Sequence, residues 1–208
     1  MQTRAQRPYQ PSGSGRTLDV RLQETKRVTA DDPDTVGDAY TYIALDRSSK
    51  LVVAWHLGKR DMPNTARFTL KVRQATSRQR FQISSDDWEA YEWAIEAGLA
   101  DRADYARIVK VANPGRVEAV LGNPDLGKTE TTFVERFNGT FRQWCKRYTR
   151  KTYSFSKKWE MLEAALALEI VHYNFCRIHR TLRVTPAMAA RVTDHVWSLT
   201  ELLENACL

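Results

Sequence analysis

Two β-rich runs separated by a short polar segment are the feature that most limits how this chain can fold. The first run is AYTYIALD (39–46), the second is KLVVAWHL (50–57), and only RSS (47–49) lies between them. Runs of β-branched and aromatic residues joined by so few residues are typical of an antiparallel hairpin. We therefore predict an antiparallel β-hairpin over residues 39–57.

Strand and helix patterns alternate after this hairpin. The predicted helices cover 63–76 and 86–98, and the second is expected to take Asp87 as its N-cap. The predicted strands cover 80–84 and 104–111. Because antiparallel strands are followed by strand–helix alternation, the order predicts an α/β fold with a mixed sheet flanked by helices.

The remaining segments are expected to be a loop and a helical C-terminal part. Residues 112–131 carry several Gly and Pro residues and predict a long loop. Helices are predicted over about 132–148 and 156–176, with a weaker one from Pro186 onward.

The segment before the hairpin divides into a polar lead-in and one short strand. Residues 1–16 predict a disordered lead-in, and TLDVRL (17–22) alternates apolar and charged residues as a strand does. We therefore expect three parts: the lead-in 1–16, a core over 17–150 and a helical extension over 151–208 that packs on the core.

Charge and cysteine content narrow the class of protein. The 208 residues carry a net charge of +7, which favours a polyanionic partner. The three cysteines are odd in number and lack metal-binding spacing, which is typical of a reducing compartment. No apolar run is long enough to span a bilayer. A cytoplasmic protein with no membrane partner is expected.

One carboxylate stands at the head of a strongly basic run. Glu135 is followed by no other acidic residue until Glu160. On a helix, an apolar stripe expected to be core contains Phe133, Phe137, Phe141, Trp144 and Tyr148. The opposite face contains Glu135, Asn138, Arg142 and Lys146. Glu135 is therefore expected to share an exposed face with cations, as either a solvated first-turn carboxylate or a functional one.

A second carboxylate is expected where a strand meets a helix. Asp86 ends a β-run, and because Asp87 is expected to be the helix cap, Asp86 is a candidate for another role. Carboxylates from different elements can converge on divalent metal ions, with cations beside them holding a phosphate backbone.

Four blocks of this sequence resemble bacterial insertion-sequence transposases of the DDE superfamily. The most similar group is the family of the first-named insertion sequence. The blocks are GDAYTYIALDRSSKLVVAWHLGKRD (37–61), ISSDDWEAY (83–91), VERFNGTFRQWCKRYTRKTYSFSKKWE (134–160) and HYNFCRIHRTLRVTPAMAA (172–190). The two C-terminal blocks are long and specific, and the similarity extends over roughly Gly37 to Leu203.

The resemblance implies an RNase-H-like fold and DNA strand transfer. Members use an Asp, Asp, Glu triad that binds two Mg²⁺ ions, for which Mn²⁺ could substitute. Asp86 matches the second acid, with Asp87 in place of the family's glycine, and Glu135 matches the third. The implied partners are the DNA of the element ends and of the target, and further copies of the chain in a homo-oligomer.

The expected DNA contacts are polar and mostly cationic residues of the last two blocks. They are Arg136, Asn138, Arg142, Lys146, Arg147, Arg150, Lys151, Lys157, Lys158, Arg177 and Arg183. Within HYNFCRIH, His179 is expected either to pack structurally or to act as a neutral partner of these cations.

The first acid of the triad has two candidates. The family carries an Asp-Glu pair and a nearby Trp upstream of the hairpin, where this chain reads GRTLDVRLQETKRVT (15–29). Asp19 lies on the predicted strand, and Asp46 at the end of the first hairpin strand is the substitute. Residues before about Lys26 could also derive from another reading frame. The alternative function is then a catalytically defective DNA-binding remnant of a transposase.

Overall fold

The predicted hairpin is confirmed by the computed structural model, which describes residues 39–109, 116–149, 153–154 and 156–206. Strands β1 (Tyr40–Leu45) and β2 (Val52–Gly58) pair antiparallel. The Asp46 amide donates to the Leu51 carbonyl at 2.8 Å and closes the turn. The predicted lead-in and strand 17–22, which contains Asp19, lie outside the described residues.

A second sheet contains the strands predicted after the hairpin. Its order is β3 (Phe81–Asp86), β4 (Ala103–Val109) and β5 (Arg116–Leu121). β3 and β4 are parallel and β4 and β5 are antiparallel, so the sheet is mixed. The parallel pair is joined by α2 (Glu89–Leu99), as a parallel connection requires a crossover. The molecule is therefore an α/β protein with a mixed sheet flanked by helices.

The prediction of a continuous loop over 112–131 was wrong. β5 occupies 116–121, and a short 3₁₀ helix occupies Leu126–Lys128. The strand depends on cross-strand pairing, since Arg107 of β4 contacts Glu118 of β5 at 2.8 Å. Such pairing is not visible in the local Gly/Pro content on which the loop prediction was based.

The first helix was correctly predicted, but the start of the second was not. Helix α1 (Met62–Ala75) is capped by Asp61, whose Oδ1 accepts from the Asn64 amide at 2.8 Å. Helix α2 begins after Trp88, which makes no side-chain cap. Asp87, the predicted cap, instead lies 3.8 Å from Arg107. The adjacent strand therefore draws the carboxylate away from the helix end.

The C-terminal part is helical as predicted, with shorter helices. These are α3 (Thr132–Trp144), α4 (Trp159–Val171), α5 (Pro186–Ala189) and α6 (Leu199–Ala206). A 3₁₀ turn (Lys146–Tyr148) follows α3, and a π-helical turn (His172–Cys176) extends α4. No helix among the described residues is long and apolar enough to cross a bilayer.

The hairpin is buried on both faces because successive strand residues point to opposite sides. Ile43 packs in a cluster with Phe141 of α3 and Leu166 of α4. Its neighbour Tyr42 packs in a second cluster that includes Phe68 of α1 and Tyr105 of β4. The hairpin is therefore the middle layer between α3–α4 on one side and α1 and the second sheet on the other.

A buried amide joins the π-helical turn to the hairpin. Asn174 accepts from the Val52 amide and donates to the Val52 carbonyl, both at 3.0 Å. The side chain thus fills both hydrogen-bonding positions of Val52, as a neighbouring strand would. Tyr173 adds a hydrogen bond from its hydroxyl to the Lys50 carbonyl at 2.9 Å.

We predict that Asn174→Ala lowers the free energy of unfolding by roughly 2–3 kcal/mol, because it leaves two buried backbone groups of Val52 without partners. Urea denaturation followed by circular dichroism measures the change. The matched control is Asn205→Ala, which removes an exposed amide on α6 and should cost about 0.5 kcal/mol or less. Equal effects of the two substitutions would contradict the assignment.

Candidate active site

Asp86 ends β3, at the carboxyl end of the parallel strand pair. Its side chain is half-buried, and the preceding Ser85 is fully buried. The Ser85 hydroxyl donates to the Asp86 carbonyl at 2.7 Å and is hydrogen-bonded to the Tyr105 hydroxyl at 2.7 Å. Burial raises the pKa of Tyr105 to about 12, so its hydroxyl remains neutral. These contacts fix the backbone that carries the Asp86 carboxylate.

Glu135 lies in the first turn of α3 and is exposed. Its amide donates to the Thr131 carbonyl at 3.2 Å, so the residue is held at the helix start. The amino end of a helix carries partial positive charge, which stabilises a carboxylate there.

The segment that leads into α3 is hydrogen-bonded to the strand that carries Asp86. Gln82 of β3 donates to the Asp125 carbonyl at 3.0 Å and to the Thr129 hydroxyl at 3.2 Å. In return its Oε1 accepts from the Asp125 amide at 2.9 Å. Gln82 and Asp86 are four positions apart, so both side chains leave β3 on the same face. The strand that ends at Asp86 is thus hydrogen-bonded to the segment that precedes the helix of Glu135.

The buried face of α3 is rotated from the predicted one. It contains Val134, Phe137, Asn138 and Phe141, whereas Phe133 and Trp144 are only partly buried. Asn138, expected on the exposed face with Glu135, is 2 % exposed and donates to the Val134 carbonyl at 2.7 Å. A direct phosphate contact by Asn138 does not fit this burial.

Asp46, the substitute for the first acid, is engaged in the hairpin turn. Its side chain is 2 % exposed, and Oδ2 accepts from the Ser48 hydroxyl at 2.7 Å and the Ser49 amide at 2.8 Å. A third bond comes from the Ser49 hydroxyl at 2.5 Å. These bonds are the interactions by which an aspartate stabilises a turn. We interpret Asp46 as a structural residue.

We predict that Asp46→Ala lowers the free energy of unfolding by roughly 2–4 kcal/mol, because three donors lose a charged acceptor. Urea denaturation with and without Mg²⁺ measures the effect. The loss should be the same in both conditions, and Asp87→Ala, an exposed control, should change stability by about 0.5 kcal/mol or less. A loss that depends on Mg²⁺ would identify Asp46 as a ligand instead.

Most predicted DNA-contacting cations lie on the surface. The exposed ones are Arg136, Lys146, Arg147, Lys157, Lys158 and Arg183, and the half-buried ones are Arg142 and Arg177. Arg150 and Lys151 lie outside the described residues. Lys146 and Arg147 line an open groove of about 520 Å³ beside Trp144, and Arg147 donates to the Ser156 hydroxyl at 2.8 Å.

Two further cations near α3 were not predicted from the sequence. Lys50 lies over the Phe133 ring, 3.1 Å from its centroid, and Arg47 pairs with Glu130 at 2.6 Å. Both belong to the hairpin turn, far from α3 in sequence. No local signal identifies them, because the contact depends on how the hairpin packs against α3.

Of the predicted metal ligands, the described residues include the carboxylates Asp86 and Glu135. Carboxylate oxygens are hard ligands, and Mg²⁺ is usually held by one or two of them with water and phosphate, so this donor set fits the ion in its chemistry. Within the described ranges no three His, Cys, Asp or Glu side chains gather in a metal-binding group. The other predicted ligand, Asp19, is outside those ranges.

Neither the protein-family models nor the curated proteins compared with this chain give a match. The functional assignment therefore depends on the chain's own residues and their contacts.

Proposed function

We propose that this chain is the catalytic domain of a DDE-superfamily transposase, with an RNase-H-like fold, that cleaves and transfers DNA strands with Mg²⁺. The observation that carries the proposal is the hydrogen-bonded connection between the strand that ends at Asp86 and the segment that leads into the helix of Glu135. Asp86 ends a strand of the mixed sheet, and Glu135 begins a helix whose approach is hydrogen-bonded to that strand through Gln82.

The order of elements also supports the proposal. An antiparallel hairpin is followed by a parallel strand pair with a helical crossover, and then by the helix that carries the last acid. In the resemblance to transposases, Asp86 matches the second acid and Glu135 the third, and they lie at the end of β3 and in the first turn of α3.

In this proposal Asp86 and Glu135 hold Mg²⁺, with Asp19 as the further acid. Bound Mg²⁺ would lower the pKa of a nucleophilic water or 3′-hydroxyl and stabilise the leaving oxygen of a phosphodiester displacement. The chain's cations hold the sugar–phosphate backbone next to the acids. Mn²⁺ is expected to replace Mg²⁺, and the working form is expected to be a homo-oligomer on DNA.

We predict that Glu135→Gln reduces Mg²⁺-dependent nicking of supercoiled DNA by at least about a hundredfold, since even residues that only support metal ligands contribute about 10–100-fold. Gel analysis of nicked and linear product measures it. The matched control is Glu160→Gln, which neutralises an exposed glutamate in the first turn of α4.

The control variant should nick at the wild-type rate, and both variants should bind DNA. Nicking that survives Glu135→Gln would show that Glu135 is not a metal ligand. Absence of nicking in the wild-type chain, together with retained DNA binding, would favour the second candidate, a non-catalytic DNA-binding remnant. This candidate is supported by the exposed cations that we call the basic surface: Arg136, Lys146, Arg147, Lys157 and Lys158. Such cations need no metal site to bind DNA.

We predict that DNA binding is nearly independent of sequence and weakens roughly 10³-fold between about 50 and 200 mM salt, because cations that neutralise phosphates release counterions. Fluorescence anisotropy with two unrelated duplexes measures this. Lys146→Gln with Arg147→Gln should reduce the slope of log K against log salt by about two.

The matched control for charge is Arg78→Gln, in the exposed loop between α1 and β3. It removes one positive charge outside the basic surface and should leave the slope unchanged. Binding that is equally strong at low and high salt would contradict the proposed phosphate contacts.

A further inference from the structure

Three segments distant in sequence meet beside α3. These are the hairpin turn, the first half of α3 and the segment that follows the π-helical turn. Tyr173 donates to the Lys50 carbonyl at 2.9 Å and contacts Phe137 of α3 ring to ring at 4.8 Å. We call the four basic residues at this place, Lys50, Arg136, Arg177 and His179, the cationic junction.

Two of its cations are held on aromatic rings. The Lys50 ammonium lies 3.1 Å from the centroid of Phe133 and also donates a hydrogen bond to the Arg47 carbonyl. The Arg177 guanidinium lies 3.0 Å from the centroid of Trp144. An aromatic face attracts a cation but does not neutralise it. The rings therefore fix the position of both positive charges and leave the charge available to an anion.

The nearby carboxylates are already bound to other groups. Asp46 accepts three hydrogen bonds within the hairpin turn, and Glu130 pairs with Arg47 at 2.6 Å. Among the described residues Arg136 forms no salt bridge. The charges that act on the His179 ring are those of the cations Lys50, Arg177 and Arg136, so the electrostatic potential at this ring is positive.

The backbone at this place is strained in two residues. Lys50 and Arg183 have φ values of 61° and 64°, which lie in the left-handed region that non-glycine residues seldom adopt. The Arg183 amide closes the turn that begins at His179 by donating to the His179 carbonyl at 2.9 Å. Strain of this kind is concentrated at functional sites.

The contacts of His179 determine which of its ring nitrogens carries the proton. Nδ1 is buried and has no hydrogen-bond partner among the described residues. Burial lowers the pKa of His179, and the charges of Lys50, Arg177 and Arg136 lower it further. A neutral ring with its proton on Nε2 leaves no buried N–H without an acceptor, so Nε2–H is the donor that this half-buried ring offers.

We propose that the cationic junction binds one phosphate group, with Lys50 and Arg136 supplying charge and neutral His179 donating a hydrogen bond from Nε2. Arg177 adds charge from the Trp144 side. The inference rests on the proposed function only for the source of the phosphate. If that function holds, the phosphate is one of the DNA backbone next to Glu135. The site itself does not require Asp86, Glu135 or a metal ion.

The first test is a titration of the full-length chain with inorganic phosphate at constant ionic strength, followed by NMR of the histidine rings. The ring nitrogen shifts of His179 should show the Nε2–H form before phosphate is added, and should move on addition. His195, which is exposed and paired with Asp194 and Glu201, is the internal control and should not move. Equal changes at both rings, or none at His179, would overturn the proposal.

The second test separates a charged contact from a neutral one in DNA binding. His179→Gln should weaken binding about tenfold without changing the salt slope, since a neutral donor to a charged acceptor releases no counterion. Lys50→Gly and Arg136→Gln should each reduce the slope by about one. Glycine adopts the left-handed conformation of Lys50 without strain, so this variant keeps the turn.

His195→Gln is the matched control and should bind as the wild type does. If His179→Gln has an unchanged melting temperature and binds DNA with wild-type affinity, the proposal that the bound phosphate belongs to DNA is overturned. If phosphate still shifts the His179 ring in that case, the site is one for free phosphate and the proposed phosphate chemistry is retained.

The nicking reaction distinguishes failure of this inference from failure of the proposed function. Glu135→Gln should lose nicking and keep the phosphate-induced shift of the His179 ring, whereas Arg78→Gln should keep the wild-type nicking rate. Phosphate binding in a chain that never nicks would leave the junction in place and remove the transposase assignment. If the chain nicks DNA but phosphate does not shift the His179 ring, the transposase assignment is kept and the phosphate site is overturned.

Discussion

Burial of the hairpin on both faces is the constraint on which the rest of the structure depends. A two-stranded hairpin is marginal by itself and is stable only when packed against other elements. Tyr42 and Ile43 are adjacent in sequence and completely buried, yet they belong to different clusters. Since each layer covers one face of the same two strands, the helices that carry the basic residues and the sheet that carries Asp86 take their positions from the hairpin.

The same hairpin turn connects stability to the proposed chemistry. Asp46 and Asn174 both satisfy buried hydrogen-bonding groups at its ends, and between them the backbone of Lys50 adopts its left-handed conformation. A strained residue persists only where the surrounding contacts over-determine it. Those contacts hold the Lys50 ammonium over Phe133, at the start of the helix that bears Glu135.

The sequence was sufficient for elements defined by local patterns. The hairpin and α1 were predicted because alternation, turn length and the position of Pro63 are short-range signals. β5 was missed and the cap of α2 was misassigned, because both depend on Arg107 of the neighbouring strand. The sequence of one strand does not show which side chains of the neighbouring strand it will contact.

In the candidate site, too, the features set by local sequence patterns were predicted and those set by packing were not. Asp86 and Glu135 were identified by their positions at a strand end and a helix start, and the structure has these elements there. The exposed face of α3 differs from the predicted one, because the aromatic stripe is not the centre of the buried face. Phe133 and Trp144 instead lie at its margin, where each ring contacts a cation.

This use of the rings explains why a basic surface can be ordered without many carboxylates. A salt bridge would fix a cation but would also cancel its charge, whereas an aromatic face fixes it and leaves the charge uncancelled. Lys50 and Arg177 are held in this way, on residues eleven positions apart in α3, which is three helical turns. The two rings therefore lie on the same side of the helix. Because no acidic residue lies between Glu135 and Glu160, this stretch of sequence supplies no carboxylate that would cancel the charges held on the rings.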